Sequence, residues 1–166
     1  MATLTQLTGS FTTLTITNIG LYPSLTNWWQ SDRVDNITST KAVDYEVLVY
    51  LAPVNTAPAN DKTIYVYAVP WVNKDVTWYP ADNCGTTLLT GSQGTATVAN
   101  PNNARLMGVI NNQTQNTVMS NSFMLSNAFG SSMPDGWSLL IQNYTGATLT
   151  PTGSVVGYKS IKNDIS

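Results

Sequence analysis

The sequence predicts an all-β protein: a jelly-roll-like antiparallel β-sandwich of about eight strands with an N-terminal arm. Short segments either alternate apolar and polar side chains or are wholly apolar and rich in β-branched residues, as strands are. Turn residues separate these segments at regular spacing, which is typical of sandwiches and barrels. Apart from one short helical turn, no window has the 3.6-residue apolar period of a helix.

The chain length predicts one domain. A chain of 166 residues is long enough to bury a core without disulfides or metal ions. Residues 1–11 are expected to form the N-terminal arm, residues 12–161 the β-sandwich domain and residues 162–166 a short tail. The composition of Thr3–Thr8 would also suit a strand added to the edge of a sheet.

The first half of the sandwich contains two predicted central strands. Val43–Leu51 begins with alternating side chains and then becomes wholly apolar, and Thr63–Val69 has the same character. Ala52–Asp61, between them, is rich in proline, asparagine and alanine, which predicts a loop. Leu14–Thr17 alternates as a strand does, and Val76–Tyr79 reads as a short strand that ends before a proline.

The second half continues the series after a turn-rich stretch. Its strand candidates are Thr95–Val98, Ala104–Ile110, Thr117–Leu125, Trp137–Gln142 and Gly153–Ile161. A single helical turn is predicted at Ser126–Gly130, with Ser126 as its N-cap and Gly130 as its end.

The low charge content excludes several kinds of chemistry. Only 10% of the residues are charged, against about 25% in an average soluble domain. Without histidine the chain has no Ser–His or Cys–His pair, and one cysteine allows neither an internal disulfide nor a thiolate zinc site. Seven scattered basic residues and a net charge of -2 do not suit nucleic acid. We expect no cofactor and no metal ion.

The N-terminus predicts synthesis in a cytosol. Met1–Leu7 has no basic segment and no continuous apolar run, so it does not read as a signal peptide. The longest apolar run, Val47–Ala52, is far shorter than the roughly 18 residues of a membrane helix, and no membrane partner is expected. Cys84 has no neighbouring base to activate it and is expected to be an incidental thiol.

Two groups of acidic residues are candidates for a catalytic or a calcium site. Asp44 and Glu46 lie two apart on a predicted strand and therefore share a face, either as a hydrolase pair or simply as the solvent face of that strand. Asp32, Asp35 and Asn36 offer hard oxygen ligands for calcium, or else they bond to their own backbone and hold a loop together. In both cases we expect the structural alternative.

The tryptophans are candidates for partner binding. Trp28 and Trp29 are adjacent in an extended segment, so their side chains point to opposite sides, and one is expected to be buried while the other faces out. An exposed tryptophan stacks on a sugar or anchors a protein partner. Trp71, Trp78 and Tyr79 form a second aromatic group.

Several stretches together carry a resemblance to a known family. They are Trp29–Asn36, Asp44–Val47, Asp61–Ala68, Phe123–Gly130, Met133–Trp137 and Asn143–Ala147. In motif order, over most of residues 28–160, the chain resembles small jelly-roll virion proteins of tailed bacteriophages, of the capsid decoration or cement type. Such proteins are rich in β-structure and decorate or cement the capsid shell, and some similar folds serve in tails or head fibres. The family has no catalytic residues to carry over.

The resemblance implies a non-enzymatic virion structural protein that decorates or cements the outer capsid surface through protein–protein contacts. The implied partners are the major capsid protein and sister subunits in a homo-oligomer. The implied location is the capsid surface of the virion, after synthesis in the cytoplasm of the host bacterium. A surface of neutral threonine, serine, asparagine and glutamine, 61 of 166 residues, suits this role because its burial desolvates few ions.

Five residues are expected to make the partner contacts: Leu4, Leu7, Phe11, Trp28 and Trp29. The main alternative is a carbohydrate-binding or host-recognition module of a head fibre or tail. A hydrolase is the third hypothesis. The position of the tryptophans discriminates among them, because an exposed aromatic platform favours sugar, an aromatic patch buried in an oligomer interface favours the cement role, and two carboxylates in a cleft favour an enzyme.

Overall fold

The structure is a computed structural model that describes residues 4–15, 19, 27–37, 41–59, 62–81, 89, 91–97, 103–112, 114–150 and 152–165. Within these ranges the chain forms twelve β-strands and one short α-helix. The strands are β1 (Leu4–Thr8), β2 (Thr12–Leu14), β3 (Asn27–Gln30), β4 (Val34–Asp35), β5 (Asp44–Leu51), β6 (Thr63–Lys74), β7 (Thr77–Pro80), β8 (Gly94–Thr97), β9 (Arg105–Asn111), β10 (Met119–Met124), β11 (Gly136–Tyr144) and β12 (Val155–Ile165), and the helix is α1 (Ser126–Phe129).

The strands form two antiparallel sheets with the jelly-roll order. The five-stranded sheet runs β1-β12-β5-β10, with β2 also on β12, and the seven-stranded sheet runs β7-β6-β11-β3-β8, with β4 on β11 and β9 on β6. Four pairs are nested along the chain: β2 with β12, β3 with β11, β5 with β10, and β6 with β9. The chain is therefore one long hairpin rolled into two sheets. This confirms the predicted all-β, jelly-roll-like antiparallel sandwich.

The main core lies between the two sheets, and β5 shows how the sequence creates it. Tyr45, Val47, Val49 and Leu51 are at most 4% exposed, whereas the residues between them point to the outer face of the five-stranded sheet. Strand alternation therefore places every second residue of β5 in the core. The facing side chains come from β6 and β11 of the other sheet, among them Ile64, Val66, Ala68, Trp137, Leu139 and Ile141.

A second, smaller core covers the outer face of the seven-stranded sheet. It joins Trp28, Val69, Trp71 and Leu140 with Leu89 and Ala104, which lie outside the strands. Because both faces of β11 are covered, eight of its nine residues are buried. Burial on both faces accounts for the three consecutive apolar residues Leu139, Leu140 and Ile141, where a strand with one solvated face would alternate.

Two strands extend beyond their predicted ends. β6 continues from Val69 to Lys74, where β7 pairs with its second half. β12 continues from Ile161 to Ile165 because β1 pairs with it there. The segments that the sequence suggested as an arm and as a tail thus contain two paired strands.

The helical turn has a different start from the predicted one. Ser126 is the first helical residue and not the N-cap, which is Leu125 and makes no side-chain capping bond. The Ser126 N–H instead donates to Asp44 Oδ1 at 2.9 Å, so a carboxylate from β5 satisfies the helix start. Gly130 ends the helix as predicted, with a φ of 70°. In the part of the chain that the structure describes, no helix has the length and apolar character needed to cross a bilayer.

The β9–β10 corner of the sandwich depends on a glycine. A Cβ added at Gly108 would overlap the ring of Phe123. We expect Gly108→Ala to lower the free energy of unfolding by about 1–3 kcal/mol, the usual cost of overpacking. Urea denaturation measures this loss of stability. The loss should be smaller in a Phe123→Leu background, because the obstructing ring is absent. An equal cost in both backgrounds would contradict this explanation.

Candidate protein-contact surfaces

The two ends of the described chain form a projecting pair of strands. β1 pairs with β12 from Leu4 opposite Ile165 to Thr8 opposite Ile161. β5 leaves β12 at Ile161, so among the described strands only β1 accompanies β12 beyond that residue. We call residues 4–8 and 161–165 the terminal ribbon.

The terminal ribbon exposes apolar side chains. All five residues of β1 are exposed, and Leu4 and Leu7 have exposed fractions of 64% and 48%. A two-stranded ribbon is only marginally stable in water without a packed face. A partner that covered these leucines would gain the free energy of burying them and would also stabilise the ribbon.

Among the described strands, β1 ends its sheet, so no described strand pairs with its outer edge and that edge is open for another strand. The Gly9 N–H donates to the Ser160 carbonyl at 2.7 Å. Antiparallel hydrogen-bonded pairs recur every second residue, so Leu7 and Thr5 also direct their backbone groups toward β12. The N–H and C=O groups of Leu4, Gln6 and Thr8 consequently face the open edge, which can accept a strand from another chain.

Phe11 lies in an irregular link between β1 and β2. Thr8 is opposite Ile161 and Thr12 is opposite Tyr158, so the N-terminal strand contains one extra residue, as in a β-bulge. Phe11 is 39% exposed, and its ring occupies the space that a side chain at position 157 would need. Gly157 therefore allows the ring to lie across the outer face of β12.

A groove begins beside Phe11 on the outer face of the five-stranded sheet. It has a volume of about 360 Å³ and is lined by Phe11, Glu46, Leu48, Ser122 and Lys159. Strand pairing places Lys159 opposite Glu46, and it places both Ser122 and Gly157 opposite Leu48. We call this feature the outer groove; it has an apolar floor and one charge of each sign beside it.

The β6–β7 hairpin ends in an exposed, strained turn. Lys74 pairs with Thr77, which leaves Asp75 and Val76 as the two turn residues, with φ values of 51° and 68°. Such turns favour Asn-Gly, and a β-branched residue with positive φ is an outlier. Val76 is also 92% exposed. We call Lys74–Thr77 the hairpin tip; the sequence had suggested only a strand starting at Val76.

The expectation that one residue of the Trp28–Trp29 pair faces solvent is wrong. The two side chains do point to opposite sides, but Trp29 enters the main core and Trp28 enters the second core, with exposed fractions of 5% and 4%. Both sides of β3 are covered, so neither residue offers a surface in the single chain. All five tryptophans are described, and none is exposed; Trp78 is half-buried under the Arg33 guanidinium, 3.9 Å from its ring centre.

The paired carboxylates share the outer face of the five-stranded sheet, as predicted. Asp44 Oδ1 accepts hydrogen bonds from the N–H groups of Tyr45, at 2.7 Å, and of Ser126, at 2.9 Å. Glu46 instead lines the outer groove near Lys159. Asp44 thus anchors the start of α1, which is a structural role.

The side chains of Asp32, Asp35 and Asn36 are all hydrogen-bonded, although to Gln93, to the Arg33 side chain and to Ala42 and not to the loop's own backbone as expected. Asp32 Oδ1 accepts from the Gln93 N–H at 2.7 Å, and Asp35 pairs with Arg33 at 2.6 Å. The Asn36 amide bonds to both backbone groups of Ala42. No group of three or more Cys, His, Asp or Glu that could hold a metal ion occurs among the described residues.

Cys84, which was expected to be an incidental thiol, lies outside the described residues.

Tyr45 connects this loop to the main core. Its hydroxyl donates to Asn36 Oδ1 at 3.0 Å, and its ring makes edge-to-face contacts with Trp137 and Tyr158. Burial, with the nearby Tyr158, raises the pKa of Tyr45 from 10.0 to about 12. Burial also raises the pKa values of Tyr158 and Tyr67.

These raised pKa values predict that the free energy of unfolding falls at alkaline pH. In the unfolded chain Tyr45 ionises near pH 10, so the stability it contributes is complete below pH 10 and is lost as the pH rises to about 12. The loss from Tyr45 is about 3 kcal/mol, at 1.36 kcal/mol per pKa unit. We expect Tyr45→Phe to show a smaller loss over this pH range in urea denaturation. Tyr79→Phe, at an exposed tyrosine, is the control, and identical pH profiles for wild type and Tyr45→Phe would contradict the assignment.

Comparison with known proteins adds no family assignment to this description. No protein-family model matches the chain, and a search of curated proteins found none with significant sequence similarity.

Proposed function

We propose that this protein is a non-enzymatic structural protein of a bacteriophage virion, and that it decorates or cements the outer surface of the capsid. The observation that carries the proposal is the terminal ribbon, a fully exposed strand with an open edge and two exposed leucines. The resemblance to small virion proteins supports the phage assignment. The jelly roll is compatible with it, since viral capsid domains are among the proteins that use this fold.

In this proposal the terminal ribbon is the docking site for the major capsid protein. A strand of the shell adds to the open edge of β1 and bonds to the outward backbone groups of Leu4, Gln6 and Thr8. Alternation along β1 places Leu4 and Leu7 on opposite faces, so the added strand and its neighbours cover one leucine on each side. Main-chain hydrogen bonds supply the affinity, and the leucines select an apolar partner.

The composition of β1 bears on how such binding would respond to salt. Leu4–Thr8 contains no charged residue, so its contacts depend little on ionic strength. On a symmetric shell, an oligomer with several terminal ribbons would bind through avidity even if each contact were weak. The protein would be made in the cytoplasm of the host bacterium and would act at the surface of the virion.

The tryptophans count against the alternative role in sugar recognition. That role needs an exposed aromatic platform, and none of the five tryptophans is exposed. Tyr50 and Tyr79 are exposed, but Tyr50 belongs to the five-stranded sheet and Tyr79 to the seven-stranded sheet.

Reconstitution tests the proposal. Purified protein is added to capsids assembled without it, and the particles are sedimented and their protein content quantified. We expect saturable binding at a fixed number of copies per shell, which changes little between 50 mM and 500 mM salt. A glycan array is probed in parallel. Sugar binding together with no binding to shells would refute the proposed role.

A further inference from the structure

The hairpin tip has the features of a protruding contact. Val76 is 92% exposed and is a β-branched residue with a φ of 68°. Strained backbone of this kind clusters at functional sites, so the outlier motivates a functional hypothesis for the hairpin tip. Next to the tip, Val72 pairs with Tyr79, and both are about half exposed. An apolar side chain therefore projects from the hairpin tip, and the partly exposed pair Val72–Tyr79 lies behind it.

The outer groove is a receptor of suitable size and character. Its volume of about 360 Å³ lies at the lower end of the range of binding pockets. Leu48 and Phe11 provide apolar surface, and Gly157, opposite Leu48, leaves room for the Phe11 ring. The groove is large enough to receive a valine side chain.

The charges of the two surfaces are complementary. Lys74 and Asp75 precede Val76 on the hairpin tip, while Glu46 and Lys159 border the outer groove. Within the described ranges, none of these four side chains takes part in an ion pair. Charges make up only 10% of this chain, and both the hairpin tip and the outer groove carry one charge of each sign. A seated tip would pair Lys74 with Glu46 and Asp75 with Lys159.

We propose that copies of this protein associate head to tail, with the hairpin tip of one copy seated in the outer groove of the next. The tip belongs to the seven-stranded sheet and the groove to the outer face of the five-stranded sheet, so two different surfaces meet. Such a contact is heterologous and produces either a closed ring or an open chain. This inference does not depend on the virion role.

Two single variants separate the surfaces. Val76→Gly removes the projecting side chain and also relieves the positive φ, so it should weaken self-association at least tenfold while the protein becomes no less stable. Ser122→Trp fills the groove from an exposed position and should weaken association equally. Val118→Gly, at another exposed valine, is the matched control and should associate as the wild type does. Sedimentation velocity over a concentration series measures all four proteins.

Mixing the two variants tests the head-to-tail geometry. Val76→Gly keeps an intact groove, and Ser122→Trp keeps an intact tip. An equimolar mixture should therefore form heterodimers that grow no further, although each variant alone stays monomeric. A second test reverses charges: Lys74→Glu and Glu46→Lys should each weaken association, and the double variant should restore it.

Several outcomes would overturn this inference. They are a wild type that stays monomeric at every concentration, a Val76→Gly variant that associates normally, and a mixture that stays monomeric. Association that is lost in Gln6→Pro but kept in Val76→Gly would also refute it, because copies would then meet through the terminal ribbon.

Discussion

Replacing both Leu4 and Leu7 by aspartate should weaken binding to undecorated capsids by more than about hundredfold. Burying a leucine contributes about 1.5–3 kcal/mol, and a hundredfold change in Kd requires about 2.7 kcal/mol. Covering the exposed parts of the two leucines, 64% and 48%, contributes about 2–3 kcal/mol, which is close to that threshold. The aspartates add the cost of desolvating charge and carry the effect beyond it. Because both side chains are exposed in the free protein, the melting temperature should hardly change.

Backbone and position controls sharpen this result. Gln6→Pro removes an N–H that faces the open edge, at a site where an edge strand tolerates proline, so it should weaken capsid binding about tenfold with little loss of stability. Val118→Asp puts the same charge at a valine that is 43% exposed and lies outside the terminal ribbon, and it should bind as the wild type does. Normal binding by the double aspartate variant would show that the shell docks elsewhere.

The second large effect concerns stability. Trp137→Ala should lower the free energy of unfolding by about 3–5 kcal/mol, the usual cost of deleting a large buried aromatic side chain. Trp137 is fully buried at the centre of the sandwich, with edge-to-face contacts to Tyr45 at 5.2 Å and Tyr158 at 5.3 Å between ring centres. In a domain of this size each kcal/mol of lost stability lowers the melting temperature by about 2–4 °C, so the melting temperature should fall by roughly 6–20 °C. The loss is a large part of a total stability of about 5–15 kcal/mol.

Calorimetry and urea denaturation measure this loss. Trp78→Ala is the matched control, because Trp78 is only half-buried and lies under Arg33 at the rim of the seven-stranded sheet. Its cost should be clearly smaller than that of Trp137→Ala. Equal costs, or a loss below about 1 kcal/mol for Trp137→Ala, would mean that Trp137 is not the centre of the core.

The sequence predicted best those strands in which the burial of each side chain follows from the strand's own residue pattern. β5 has one face in the core and one face outward, so alternation identifies it and even the orientation of Tyr45. β6 was identified only to Val69, because its second half is held by β7 through a turn that contains neither glycine nor asparagine. The pattern of β6 alone therefore could not predict that extension.

The incorrect predictions came from contacts between distant parts of the chain. Only one of Trp28 and Trp29 was expected to be buried, but Leu89 and Ala104 cover the side of the sheet to which Trp28 points. Nothing near Trp28 in sequence indicates that cover. Ser126 has the right residue type for an N-cap, but Asp44, which is 82 positions away, bonds its N–H. Local propensity is overridden where a distant side chain supplies the missing partner.

For the candidate surfaces, the sequence identified residues but not geometry. Leu4, Leu7 and Phe11 were predicted to make partner contacts, and all three are exposed in the single chain; the contacts themselves stay a prediction. The open edge between Leu4 and Thr8 follows from the pairing register with β12, which no local pattern encodes. The hairpin tip was missed because Val76 reads as the start of a strand, although Lys74-Asp75 marks a polar break between apolar segments.

High-resolution electron cryomicroscopy of decorated capsids tests the central claim most directly. The claim predicts that each bound copy has a shell strand added to the open edge of β1, with Leu4 and Leu7 covered by shell side chains. Particles on which the protein is absent, or on which it is bound with β1 facing solvent, would contradict it.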